Sequence, residues 1–501
     1  MIATSISTPP EDLPVNATLP VVVIGAGPVG LAAAAHLLER GLNPLVLEAG
    51  TSVGAGISRW AHVRMFSPWE FTVDRAASAL LSKHGWNAPE LSQFPTGGEV
   101  IERYLKPLAG IPEIQPHLRM GARVIVVTKQ RRDRMKDAQR NDVPFLVRYE
   151  DAQGEHEVLA QAVIDASGTI ETPNPMGASG VHAIGERSLR DRIFYGMPDV
   201  LGAQRSRYAG KRVLVVGSGH SAFNVLSDLA RLARQVPGMR IEWAIRRPSL
   251  RRVLGGGEHD QLKERGQLGL TIAKLVEDGV LNVTTSFHLD RLDTTAEGIV
   301  AYAEGESIAP VDEIVASTGF RPDLGVLSEL RLSLDHGTQA PLALAPLIDP
   351  NQHSCGSVRP HGAEELKHPD AGVYIVGMKS YGRAPTFLLL TGYEQVRSVV
   401  AAVAGDWEAA RRVELVLPET GVCITQFAEE DAAESAASCC GTAPAEVAEL
   451  ATTPAGCGGG PAQVEVTPCC VKDEIAKTEE KAGGGCGPAA PVKAVATGCC
   501  G

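Results

Sequence analysis

The sequence predicts an α/β fold built on two parallel-sheet units, and three observations predict it. An apolar β-type run, VVVI (21–24), opens directly onto a glycine turn and an alanine-rich helix pattern. A second strand–turn–helix, VLVVGSGHSAFNVLSDL, begins near residue 213. Two further apolar strands, VIDASGT (163–169) and DEIVASTGFRPDL (312–324), each end in a small-residue–glycine turn after meander-like segments. Uninterrupted apolar strands alternating with helical patterns indicate parallel sheets covered on both faces. A length of 501 residues suggests about three domains, and a hydrophobic share of 44% can fill a large core.

Composition narrows the functional classes. A net charge of -12 without a basic stripe argues against nucleic acid as a partner. The start, MIATSISTPPEDLPVN, has neither a positive segment nor an apolar one, so no secretory signal is expected. The uncharged run Leu19–Leu38 has nearly the length of a membrane span. Its glycines and prolines fit a strand, turn and helix better, and no membrane partner is expected. Before residue 430 the only cysteines are Cys355 and Cys423, which suits a reducing cytoplasm.

The first turn is Gly25-x-Gly27-Pro28-x-Gly30. Glycines at this spacing allow a tight turn, close approach of backbone to a diphosphate, and close strand–helix packing. The helix that follows directs about half a unit of positive charge at the phosphates. Glu48 closes the next strand, PLVLE, about 20 residues on, where a ribose hydroxyl acceptor belongs.

The second turn, Gly217-Ser218-Gly219-His220-Ser221-Ala222, has alanine in place of the third glycine. Its next strand leads into Arg246 and Arg247 where the first unit has an acid. A guanidinium suits a 2′-phosphate that a carboxylate would repel. These arginines therefore select NADPH over NADH, or else are two solvated charges on a loop. His220 is expected beside the phosphates rather than as a catalytic base.

The two small-residue turns match the crossings that join the two nucleotide domains of flavoproteins with two dinucleotide-binding domains. From about residue 18 to 425 the chain resembles that superfamily. The resemblance implies a Rossmann-type FAD domain in two parts, 18–200 and 315–430, with an NADPH domain, 201–314, inserted. A flexible start, 1–17, and a cysteine-rich tail, 431–501, complete the division. Gly168, Thr318, Gly319 and Gly377 join the cofactor-binding candidates.

No C-x-x-C or C-x-x-x-x-C occurs in the core, which removes core thiol-reductase chemistry. What remains resembles the flavin-containing monooxygenases. SRWAHVRMFSPWEF (58–71) stands where those enzymes place a loop over the isoalloxazine, which nominates Arg59, Trp60 and Ser67; core packing of the tryptophans is the other reading. Two departures stand out. The F-x-G-x-x-x-H fingerprint is replaced by IFYGMPDVLGAQRSRYAGK, and Met378-Lys379 follows Gly377 where many relatives carry aspartate. HVRMFSPW, YGMPDVLG, VGSGHSA, WAIRR, LAPLIDPNQHSCGSVRPHG, VGMKSYGRAPTFLL and LPETGVC resemble the flavin-dependent monooxygenase-like proteins of actinobacterial arsenic-resistance operons. That implies hydride transfer from NADPH to FAD and oxidation of a soft small-molecule or metal(loid) substrate by molecular oxygen.

His353, Cys355 and His361 either form a soft-metal or thiol site, with Cys355 as the catalytic candidate, or a loop whose cysteine packs as a small hydrophobe. The tail carries Cys439, Cys440, Cys457, Cys469, Cys470, Cys486, Cys499 and Cys500 and no aromatic residue. Such a segment cannot bury enough apolar area to offset its ordering entropy. Adjacent Cα atoms stand about 3.8 Å apart, short of the roughly 4.4–6.8 Å that ordinary disulfides prefer. Neighbouring thiolates instead suit one soft ion together. The pairs resemble those of arsenic metallochaperones and mercuric reductase, which implies binding of As(III) or a similar ion; a cysteine-rich extension with no ligand is the other reading. Three readings stay open: a monooxygenase, an NADPH-dependent reductase of a thiol-bound metal(loid), and a sequestering protein with a vestigial flavin domain.

Overall fold

The computed structural model describes residues 19–251, 253–254, 263–351, 358–385 and 387–415. Val21–Ile24 lies at the centre of a five-stranded sheet, between Ala162–Asp165 and Pro44–Glu48, with Val373–Ile375 and Leu118–Met120 at the edges. Every pairing in it is parallel. All four central side chains are buried, which is why this strand carries no polar alternation. The uncharged Leu19–Leu38 run is this strand followed by a turn and the helix Pro28–Glu39. No helix among the described residues is long and apolar enough to cross a membrane.

Ala32, Ala33, Ala34 and Ala35 are fully buried along that helix. Their small side chains let a second buried helix, Leu389–Val403, pack close alongside. The contact is tightest at Gly392, where a Cβ would stand 2.7 Å from Val29 Cγ2.

The second sheet repeats the plan. Arg212–Val216 lies between Arg240–Ala244 and Glu313–Ala316, with Asn282–Thr284 and Ile193–Tyr195 at the edges, again all parallel. The expected meanders are present as two three-stranded antiparallel sheets. Each runs directly into a crossing strand: Gly154–Ala160 into Ala162–Asp165, and Glu306–Val311 into Glu313–Ala316.

Beyond those strands the two crossings lie side by side and are joined at Asn174. Its N–H donates to the Gly319 carbonyl at 2.9 Å, and its side-chain amide donates to the Thr318 carbonyl at 3.0 Å. The Thr318 hydroxyl donates back to the Asn174 carbonyl at 2.7 Å. Arg321 adds a bond from Nε to the Asn174 side-chain oxygen at 2.8 Å.

Candidate cofactor-binding site

At the first turn each glycine has its own reason. Gly25 has φ +100°, and a Cβ there would lie 2.9 Å from the Ala166 carbonyl oxygen. A Cβ on Gly30 would lie 1.9 Å from the Gly25 carbonyl oxygen, so helix and turn could not close. A Cβ on Gly27 meets nothing within 4 Å. Gly27 faces open space at the helix N-terminus, with Pro28 in the first turn and no side chain capping the helix. This open, uncapped helix N-terminus is a cradle suited to an anionic group such as a diphosphate.

Glu48 stands beside that cradle. Its carboxylate accepts from the Ala26 N–H at 2.6 Å and the Gly50 N–H at 2.7 Å. A carboxylate has about four acceptor positions, so capacity for ribose hydroxyls remains. The residues present therefore fit FAD.

The second turn follows the same design. Gly217 has φ +135°, with the Ser317 carbonyl oxygen 2.3 Å from where a Cβ would be, while Gly219 faces open space. Ala222 is fully buried in the place of a third glycine, and Ser221 is half-buried beside it. Trp243 Nε1 donates to the Gly217 carbonyl at 2.7 Å, which fixes the turn from the neighbouring strand. His220 is the first residue of the helix His220–Gln235, and its ring packs on Phe66. Arg246 and Arg247 leave the end of Arg240–Ala244, Arg246 exposed and Arg247 half-buried. One Arg246 guanidinium nitrogen donates to the Ala178 carbonyl at 3.3 Å. These residues fit a phosphorylated pyridine dinucleotide.

Of the three loop candidates, Arg59 lies beside the first crossing. Arg59 pairs with Glu171 at 2.8 Å, both well exposed, and donates to the Ile170 carbonyl at 3.4 Å. Trp60 packs over Gly97 and against the main core, and Ser67 is half-buried. Gly168 and Gly319 adopt φ +72° and +85° at the two crossings, and Gly377 adopts +68° above Val29 at the start of the first helix.

Sequence reading missed a buried pair close to the first glycine turn. Lys379, 2% exposed, lies 2.7 Å from the carboxylate of fully buried Asp165, the last residue of its strand. Lys379 Nζ also reaches Ser167 Oγ at 3.0 Å, and that hydroxyl donates to Asp165 at 2.6 Å. The signal was available: a lone lysine in VYIVGMKSY and a lone aspartate in AVIDASG each need a buried partner.

His361 is committed to the fold. The Gln395 side-chain oxygen accepts from the Gly377 N–H, so its amide nitrogen donates to His361 Nε2 at 2.9 Å and to Ser380 Oγ at 2.9 Å. His361 Nδ1 therefore carries the proton and donates to the Arg359 carbonyl at 3.1 Å. Burial lowers its pKa, and both ring nitrogens have protein partners. His353, Cys355, Cys423 and the eight tail cysteines lie outside the described residues. Among the described residues no group of three or more His, Cys, Asp or Glu side chains could hold a metal.

A cavity of about 600 Å³ lies by Trp69, Leu91 and Leu390, away from both glycine turns. It contains the buried pair His36–Asp74, at 3.0 Å.

Residues 22–345 match the family model described as pyridine nucleotide-disulphide oxidoreductase. A ferredoxin–NADP reductase of Salinispora tropica is 25% identical over 321 residues, 63% of this chain and 78% of the relative. The indole-3-pyruvate monooxygenase YUCCA1 of Oryza sativa subsp. japonica is 30% identical over 215 residues, 42% of this chain and 45% of the relative. Among solved structures, the FAD-bound cadaverine monooxygenase DfoA of Erwinia amylovora superposes with a TM-score of 0.55 at 16% identity. That superposition covers 80% of this chain and 99% of the other.

Proposed function

The chain belongs to the pyridine nucleotide-disulphide oxidoreductase family, and on that premise we propose that it oxidises a soft, nucleophilic small molecule or metal(loid) at the expense of NADPH and oxygen. It is an FAD- and pyridine-nucleotide-dependent oxidoreductase of the flavin monooxygenase-like kind. The observation that carries the proposal is the pair of open cradles, at Gly27 and at Gly219, on two sheets whose crossings are joined at Asn174. The absence of a C-x-x-C pair from the core favours oxygen over a core disulfide as electron acceptor.

FAD, when bound, accepts a hydride from NADPH and passes the electrons on. The protein's part is to bind, orient and exclude water. Gly25, Gly27, Gly30 and the N-terminus at Pro28 hold the FAD diphosphate, and Glu48 accepts from its ribose. Gly217, Gly219, His220 and Ser221 hold the second diphosphate, and Arg246 with Arg247 pair with the 2′-phosphate. Gly168, Thr318 and Gly319 bring the two halves together, with Arg59, Trp60, Ser67 and Gly377 around the flavin. The division into an FAD domain, 18–200 and 315–430, and an inserted NADPH domain, 201–314, follows the same plan, with a cytoplasmic setting.

A role in arsenic resistance is part of the proposal, and eight cysteines after residue 430 motivate it. Their thiolates would capture As(III) or a similar soft ion for the core. Truncation after residue 430 should leave FAD content and NADPH oxidation intact while abolishing stoichiometric arsenite binding. Arsenite bound as tightly by the truncated protein would instead direct attention to Cys355 and Cys423. The reductase reading keeps one support, the match to a ferredoxin–NADP reductase. Product analysis separates the two: incorporation of oxygen into product supports the monooxygenase, and turnover without oxygen supports the reductase.

A further inference from the structure

One segment, 54–66, touches both nucleotide turns. At its start the Gly54 N–H donates to the Ala26 carbonyl of the first turn at 3.0 Å. In its middle Arg59 is bonded to the first crossing at Ile170 and Glu171. At its end the Phe66 ring meets the His220 ring, edge to face, with centroids 5.2 Å apart. From there an aromatic chain continues inward. His220 contacts Phe223 at 6.1 Å, and Phe223 contacts Trp243 at 5.9 Å, both edge to face. Trp243 in turn holds the Gly217 carbonyl. Four aromatic rings thus connect the second glycine turn to a segment hydrogen-bonded to the first.

We propose that His220 is a positioning residue that couples pyridine dinucleotide binding at the second turn to the flavin-side segment 54–66 through Phe66. The inference rests on the two-nucleotide reading above. A diphosphate bound at the N-terminus of His220–Gln235 pins the backbone of the helix's first residue. The ring of that residue is the one that Phe66 contacts, so pinning it orders the end of the segment. The start of the segment, hydrogen-bonded to the first turn, transmits that order to the FAD site. Coupling between two sites is reciprocal, so FAD loading should also tighten nucleotide binding. A single edge-to-face pair limits the effect to about two- to tenfold in affinity.

The test titrates FAD-loaded full-length protein with NADP+, followed by both calorimetry and the flavin visible spectrum. In the wild type, binding should perturb the flavin spectrum. His220→Ala and Phe66→Leu should each weaken NADP+ about two- to tenfold and diminish that perturbation. The double variant should bind no more weakly than either single one, and His220→Phe should restore the perturbation. Phe66→Met serves as a second probe if Phe66→Leu loses FAD. Additive losses in the double variant, or an intact perturbation in Phe66→Leu, would overturn the coupling while leaving the nucleotide reading in place. A wild type that binds no NADP+ would overturn both.

Discussion

Lys379 Nζ sits 2.7 Å from Asp165 Oδ2, joining the end of one parallel strand to the short helix Gly377–Tyr381 that follows its neighbour, close to the first glycine turn. The pair is 214 residues apart in sequence and almost entirely shielded from water. A buried ion pair gives little net stability over apolar replacements, but removing one partner strands the other charge. Lys379→Met should therefore cost about 3–5 kcal/mol in urea unfolding. Asp165→Asn combined with Lys379→Met should recover part of that loss. Equal losses in the single and double variants would show that the charge pairing is not what Lys379 contributes.

Substitutions at Gly27 and Gly30 should separate folding from cofactor binding. Gly30→Ala drives a Cβ into the Gly25 carbonyl and should impair folding itself. Gly27→Ala meets no protein atom within 4 Å, so the protein should fold with near-normal thermal stability. Its methyl group would project into the diphosphate cradle and should weaken FAD about tenfold or more, read by fluorescence titration. Unchanged FAD affinity in Gly27→Ala would place the diphosphate elsewhere.

On the proposed function, Arg246 and Arg247 set nucleotide choice. Replacing Arg246 and Arg247 together by alanine should reduce the preference for NADPH over NADH on the order of ten- to a hundredfold, the scale of charge-assisted hydrogen bonds. The loss should fall on NADPH affinity and leave NADH nearly unchanged. A double variant that keeps its preference would make these side chains surface charge only.

His36 sets an alkaline limit on stability. Burial alone would lower its pKa, but the Asp74 carboxylate beside it, with help from Glu39, raises it to about 9. A group raised in the folded state stabilises fully below its unfolded pKa of about 6.5 and loses that contribution as pH rises through 9. Unfolding free energy should thus fall by roughly 3 kcal/mol between pH 6.5 and pH 9.5. His36→Gln should flatten this profile in denaturant titrations at the two pH values.

The turns were legible in sequence because glycine spacing records local backbone geometry. Gly25 and Gly217 both have left-handed φ values where the pattern requires a glycine, and Glu48 lies beside the first turn as its spacing implied. The crossings were legible for the same reason, at Gly168 and Gly319. What sequence did not reveal are partnerships made by tertiary packing. Asn174 bonds to Thr318 across 144 residues, and Phe66 meets His220 across 154, with no periodicity connecting them. His361 shows the same limit: closeness in sequence to His353 and Cys355 left both a ligand set and a packed loop open, while its side-chain partner, Gln395, sits on a helix 34 residues later.

Hydride exchange between two dinucleotides on the two sheets can be read by anaerobic rapid mixing of FAD-loaded protein with NADPH. The visible flavin absorbance should be lost, faster with NADPH than with NADH, and should return when oxygen is admitted. Protein that takes up no FAD, or whose bound FAD stays oxidised under saturating NADPH, would contradict that exchange.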